Sequence, residues 1–221
     1  MTAGAHTQDR PATGDTTRRV AVVEPRCHGL EHVAFNAALI ATTTAACPEA
    51  SVDVYGEASH LKEVEQLLAL TRGCHSRVSW HPLEIPARRA VGWKRALSTR
   101  RLFAELDSAF QVHPPSGVVV ATTDPFVLTL LKTRLLTTWA GRPAVAVVHE
   151  LLAVLGRRHQ SSRRWGFVAS LALPHPHGMT YLVLAKSILT ELQTVAPRMA
   201  ARTMAIELPS LLGDLPPVGE P

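Results

Sequence analysis

RVAVVEPRCHGLEHVAFNAALI, residues Arg19–Ile40, is the stretch whose reading decides the fold. Its opening run, RVAVVEP (Arg19–Pro25), is short, apolar and β-branched, which predicts a buried strand. From Leu30 the pattern turns helical and continues to Ala46, where Cys47-Pro48 closes it. A strand that is apolar throughout, rather than at every second position, must be covered on both faces. A helix following at once supplies one such cover through a right-handed crossover.

The same rhythm repeats outward from this stretch. SVDVYGE (Ser51–Glu57) predicts a second strand, and Leu61, Val64, Leu67 and Leu68 recur behind it at helical spacing. RVSWHPLEI (Arg77–Ile85) predicts a third strand, placed toward a sheet edge because Pro82 cannot donate to a ladder. Arg88 to Trp93 reads as an arginine-rich loop, and Lys94 to Phe110 as a helix with Leu97, Leu102, Phe103, Leu106 and Phe110 as its apolar positions. GVVVATT (Gly117–Thr123) predicts a fourth strand, after which Asp124 suits an N-cap and Pro125 the first helical position. PAVAVVHE (Pro143–Glu150) and TYLVLAK (Thr180–Lys186) predict the fifth and sixth strands. Ser187 is expected to cap a helix through Val195, and Arg202 to Leu208 to form a seventh strand. The architecture expected is α/β: a doubly wound, mostly parallel, Rossmann-like sheet of six or seven strands.

Residues 1–17 read as a disordered polar leader without an apolar core, 18–209 as one domain, and 210–221 as a Pro-rich tail or linker. The chain has 221 residues and is 46% hydrophobic, enough for a substantial core. Trp165 to Ala185 carries no formal charge and is long enough to cross a bilayer, but Pro174-His175-Pro176-His177-Gly178 interrupts it, so two short buried elements are expected. The cysteines, Cys27, Cys47 and Cys74, form no C-x-x-C pair, which points to reduced thiols in a cytoplasmic protein. The net charge of +5 comes mostly from arginine. Such a balance favours anionic partners or a solvated basic surface. Nucleic acid is not expected, because Arg88-Arg89, Arg100-Arg101 and the basic stretch 157–164 lack interleaved aromatics or a recognisable motif.

Open parallel sheets bind ligands beyond the carboxyl ends of their strands. Five polar loops fall there: Glu24 to Gly29, Gly56-Glu57, Thr122 to Asp124, His149-Glu150 and Lys186-Ser187. His28-Gly29-Leu30-Glu31-His32 has the H-x-x-E-H spacing of some zinc peptidases. A zinc site needs both histidines on a formed helix and a third ligand. Here Gly29 lies between them, His28 precedes the helix and no third ligand is marked, so no metal is expected. Gly29 would let backbone approach a ligand, and the new helix would offer N–H groups to an anion; alternatively Gly29 only makes the turn while His32 caps or packs. His149 is a candidate general base or a hydrogen-bonded structural histidine. No G-x-G-x-x-G follows the first strand, and no P-loop or G-x-S-x-G elbow is present. These absences disfavour a dinucleotide, P-loop hydrolysis and an α/β-hydrolase.

The succession VAVVEPRCHGLEHVAFNAALI, SVDVYGE, VVATTDP, VAVVHELL and RRWGFVASLAL…YLVLAKSILTEL resembles the N-terminal half of a GT-B glycosyltransferase, most like the family 4 type, across about residues 18–209. The resemblance implies two Rossmann-like halves facing a cleft, with the acceptor on the N-terminal half. It places Arg26, His28 and Gly29 in the loop that approaches the donor phosphates, and Thr123, Asp124, His149, Glu150, Lys186 and Ser187 along the acceptor side. It also implies that 157–164 suits a polyanionic acceptor or the inner face of a membrane. The half that holds the nucleotide sugar, with its paired glutamates, has no counterpart in the chain. Glu57 and Glu65 lie in the other half and do not replace it. No cofactor is therefore expected on this half alone. Transfer is expected only with a complementary C-terminal donor-binding polypeptide, a nucleotide sugar as donor, and a sugar or lipid-linked acceptor. The alternative is a non-catalytic Rossmann-like interaction or ligand-binding module.

Overall fold

A computed structural model of the protein describes residues 18–70, 75–85, 92–148, 170 and 173–206. The expected leader and tail, the candidate base His149, its neighbour Glu150 and the stretch 157–164 lie outside these residues.

Seven strands form one sheet in the order β3-β2-β1-β4-β5-β6-β7. They are β1 (Arg18–Val23), β2 (Ala50–Gly56), β3 (Val78–Pro82), β4 (Gly117–Val120), β5 (Ala144–Val147), β6 (Met179–Val183) and β7 (Thr203–Ala205). All six pairings are parallel. Among the described residues the helices with assigned bounds are α1 (Val33–Ala46), α2 (Ala58–Ala69), α3 (Gly92–Val112), α4 (Pro125–Leu136), α5 (Lys186–Val195) and the short α6 (Pro197–Ala200). The doubly wound expectation holds, and β3 with its Pro82 is an edge strand as expected.

Burial explains why the strands are apolar without alternation. In β1, Ala21, Val22 and Val23 are all within 2% of complete burial. Val22 faces Val52, Val54 and the residues Ala37, Ile40, Leu61 and Val64 of α1 and α2. Ala21 and Val23 face the opposite layer, built from Leu102, Phe103, Leu106 and Phe110 of α3 with Leu128 and Leu131 of α4. Each deeply buried aliphatic side chain contributes about 1.5–3 kcal/mol by leaving water.

Two polar devices fix the edges of this frame. Asp53, buried in β2, accepts from Arg19 of β1 at 3.3 Å and from His81 of β3 at 3.0 Å, so its charge is met from both neighbouring strands. The Arg77 guanidinium donates to the carbonyls of Thr44, Cys47, Pro48 and Ala50, closing the end of α1 against the start of β2. Arg77 satisfies the carbonyls that a helix leaves unpaired at its C-terminus.

Two helix starts differ in how well they were legible. Asp124 caps α4, accepting from the Val127 amide at 2.8 Å, with Pro125 in the first turn, as expected. Ser187 does not cap α5. That helix already begins at Lys186, its N-cap is Ala185, and no side-chain cap bond is made. The chain enters α5 two residues earlier than the capping rule implies, leaving Ser187 inside the first turn.

Candidate functional site

The strand order reverses direction at β1 and β4. From β1 the chain winds outward through β2 to β3, then α3 carries it back to β4 on the other side. The loops after β1 and β4 therefore diverge and leave a crevice at their carboxyl ends. Glu24 to Gly29 and Ala121 to Asp124 occupy that crevice.

Glu24 is its centre. It is 3% exposed, yet its carboxylate is fully used. One oxygen accepts from the amides of Arg26 at 2.9 Å and Cys27 at 3.1 Å. The other accepts from Asn36 Nδ2 at 3.1 Å and Thr122 Oγ1 at 2.8 Å. A carboxylate has about four lone-pair positions, so Glu24 binds the loops together and has none left for a ligand.

The network continues outward. Asn36 Nδ2 also meets His60 Nε2 at 2.8 Å, and His60 Nδ1 meets the Gly29 carbonyl at 2.8 Å. A carbonyl only accepts, so Nδ1 carries the proton and Nε2 receives the Asn36 hydrogen. Both amide hydrogens of Asn36 are thereby committed, one to Glu24 and one to His60. The amide oxygen Oδ1 is buried and has no hydrogen-bond partner. Gly29 itself, at φ +51, is also held through its amide by Glu57. Burial raises the Glu57 carboxyl, but hydrogen bonds from the Ser59 side chain and from the amides of Ser59, His60 and Gly29 outweigh it and bring the pKa to about 2. The Glu57 carboxylate also caps α2.

Asp124 joins three loops. It is 4% exposed, caps α4 and pairs with Arg95 from the first turn of α3. Arg26 Nη1 lies 3.7 Å from the same carboxylate oxygen. Thr123 is completely buried, and both its amide and hydroxyl bond the Val147 carbonyl, joining β4 to β5. Cys27 lies beside Thr122 at 3.9 Å; burial and the Glu24 charge push its thiol up, so it is an unreactive thiol.

The sequence-derived candidates thus separate into groups. Arg26 and Asp124 come together, while Gly29 is held from α2. Lys186 and Ser187 are exposed at the start of α5, beyond β6. The sheet order puts β6 two strands from β4, about 10 Å away at ordinary strand spacing. His28 is half-buried; its amide donates to the Glu31 carboxylate at 3.1 Å, and its carbonyl accepts from the Glu31 amide at 3.1 Å. The H-x-x-E-H segment is therefore a closed turn before α1, which begins at Val33 rather than Leu30. Among the described residues no group of three or more His, Cys, Asp or Glu is arranged to hold a metal ion. No helix among them is long and apolar enough to cross a membrane.

Asn36, His60 and Arg95 were missed from the sequence. Asn36 carried a signal: it is the polar residue inside the apolar run FNAALI, where residues 35–40 are all buried. A polar group in such a run needs a partner. His60 and Arg95 carried none, since a first-turn histidine and an arginine among arginines are ordinary.

The sequence matches no protein-family model and no curated protein. The fold does match solved structures. Arabidopsis thaliana UGT89C1 complexed with quercetin aligns with a TM-score of 0.58 at 12% identity, over 92% of this chain and 52% of that one. A UDP-glucose:anthocyanidin 3-O-glucosyltransferase in complex with UDP aligns at 0.54 and 12%, over 92% and 55%. A UGT transferase from Siraitia grosvenorii in complex with UDP aligns at 0.53 and 12%, over 92% and 53%. The chain spans about half the length of the structures it matches. It has the Rossmann-like α/β fold of GT-B glycosyltransferases over that span.

Proposed function

We propose that this chain is the acceptor-binding half of a glycosyltransferase, with the family 4 resemblance of its loops as the finer form of that assignment. One observation carries the proposal. The parallel sheet with its switch point at β1 and β4 aligns over 92% of the chain with glycosyltransferases, but over only 52% to 55% of the three structures named above. The acceptor would lie over the carboxyl rim, against His149, Glu150, Lys186 and Ser187, while the loop carrying Arg26 and His28 would face the donor phosphates. A complementary half would hold the nucleotide sugar. His149 would take the proton from the acceptor hydroxyl as its oxygen attacks the anomeric carbon, and the nucleotide would leave with the electrons of the broken bond. Glu24, Asn36, His60 and Glu57 would do none of this chemistry. They would hold the Gly29 turn and the β4 loop in fixed positions, so that little reorganisation is needed on binding.

A second assignment, a non-catalytic interaction module, is favoured by one feature. Glu24, Glu31, Glu57 and Asp124 at the rim all have protein partners already. Mixing experiments separate the two. The chain is combined with the polypeptide encoded beside it, and transfer from a labelled nucleotide sugar is measured. Acceptor-dependent transfer by the mixture, absent from either part and lost in His149→Ala that keeps its circular dichroism spectrum, supports the transferase. Tight association without turnover, unchanged by His149→Ala, supports the interaction module.

A further inference from the structure

The second half of the rim, where α3 begins, has a feature that sugar transfer does not require. α3 buries Thr99, Leu102, Phe103, Leu106 and Phe110 against the sheet. Its opposite face should therefore be polar. Instead Trp93 is 72% exposed and Leu97 42% exposed, one turn apart on that face. Around them stand Lys94, Arg100 and Arg101, all exposed. Lys94 Nζ lies 5.9 Å from the centre of the Trp93 ring. Between residues 92 and 104 the helix carries no acidic side chain. A solvated helix face does not spend a tryptophan and a leucine in this way, and a large aromatic ringed by cations fits an interface that is apolar within and anionic at its surface.

We propose that the first three turns of α3 dock on an anionic lipid surface. Trp93 and Leu97 enter the boundary between headgroups and acyl chains, while Lys94, Arg100 and Arg101 meet lipid phosphates. The charge complementarity selects lipid as the occupant: a protein partner would require its own acidic patch, whereas an anionic leaflet supplies negative charge at every position along the stripe. The same helix places Arg95 on its inner side, paired with Asp124 at the switch point. Docking would therefore bring the crevice to the membrane surface, where a lipid-linked acceptor would be presented to it. This surface does not depend on the transferase assignment, because the exposed stripe is complete without any reaction.

Vesicle binding tests it directly. The purified chain is sedimented with vesicles of phosphatidylcholine alone and of phosphatidylcholine with phosphatidylglycerol. The expected result is binding to the anionic vesicles only, with a blue shift in tryptophan emission that Trp93→Phe reduces. Trp93→Ala/Leu97→Ala should weaken binding about tenfold or more. Each charge reversal among Lys94, Arg100 and Arg101 should weaken it by at least about fivefold, and raising the salt should act in the same direction. These side chains are exposed, so the variants should keep the wild-type circular dichroism and melting behaviour. Equal binding to neutral vesicles, or binding to anionic vesicles unchanged in both sets of variants, overturns the proposal. So does an absence of vesicle binding combined with a protein partner that the Trp93→Ala/Leu97→Ala variant no longer captures. Sugar transfer is not read in any of these measurements, so they can fail while the mixing experiment succeeds.

Discussion

Replacing Glu24 by glutamine keeps its volume and removes its charge, and the consequence can be worked out atom by atom. If the new amide nitrogen takes the place of the oxygen facing Arg26 and Cys27, it meets two main-chain donors that cannot turn away. If it takes the other place, it meets Thr122 and Asn36. The Thr122 hydroxyl can rotate to accept. Asn36 cannot invert its amide without presenting an oxygen to His60 Nε2, which is itself an acceptor while Nδ1 donates to Gly29. The cheaper arrangement still loses one buried hydrogen bond to a charged acceptor, about 1.5–3 kcal/mol. Glu24→Ala leaves all four donors without their acceptor and should cost more, on the order of 4 kcal/mol, a large fraction of an ordinary domain's stability. Urea unfolding followed by circular dichroism measures both. With a slope of about 2 kcal/mol per molar, Glu24→Gln should move the midpoint by roughly 1 M. A double-mutant cycle with Asn36→Ala should show coupling of about 1 kcal/mol, because the two side chains share a bond. A Glu24→Gln midpoint within about 0.2 M of wild type, the range of an ordinary surface substitution, refutes the claim that this carboxylate organises the rim.

Two pH effects follow from the same structure. Glu57 is held at about 2 in the folded chain against 4.5 ordinarily. Its stabilisation is full above about 4.5 and declines as pH falls toward 2, so Glu57→Gln should flatten the acid limb of a stability–pH curve between those values. Lys132 has no exposed surface and donates to the Ser170 and Leu173 carbonyls; burial lowers its pKa to about 8 from 10.5. Between pH 8 and 10.5 the unfolded chain holds the proton that the folded chain has lost, so stability should rise with pH across that window, and melting curves of Lys132→Met should lack that part of the rise.

Local pattern alone was enough for the sheet. Val20 to Val23, Val118 to Val120 and Ala144 to Val147 are apolar without alternation, and only a strand covered on both faces needs that composition. Pro82 marked an edge strand and Asp124-Pro125 marked a helix start because each acts through its own backbone, within a few residues. Ser187 shows where such a rule stops, since a cap is optional and α5 begins without one.

The crevice was legible as a place and not as a network. The loops Glu24 to Gly29 and Thr122 to Asp124 could be put at the same end of the sheet by topology. That Glu24 binds Asn36 and Thr122, that His60 reaches Gly29, and that Arg26 and Arg95 share Asp124 required the fold itself. Glu24 and Thr122 are 98 positions apart in sequence. They meet because β4 returns to the side of β1 opposite β2. Sequence periodicity records which face of an element is buried; the partner of a buried polar group is set by strand order. For this reason RVAVVEP sufficed to place a strand, while the closed turn at His28–His32 and the saturated carboxylate before it became visible only once the strands stood side by side.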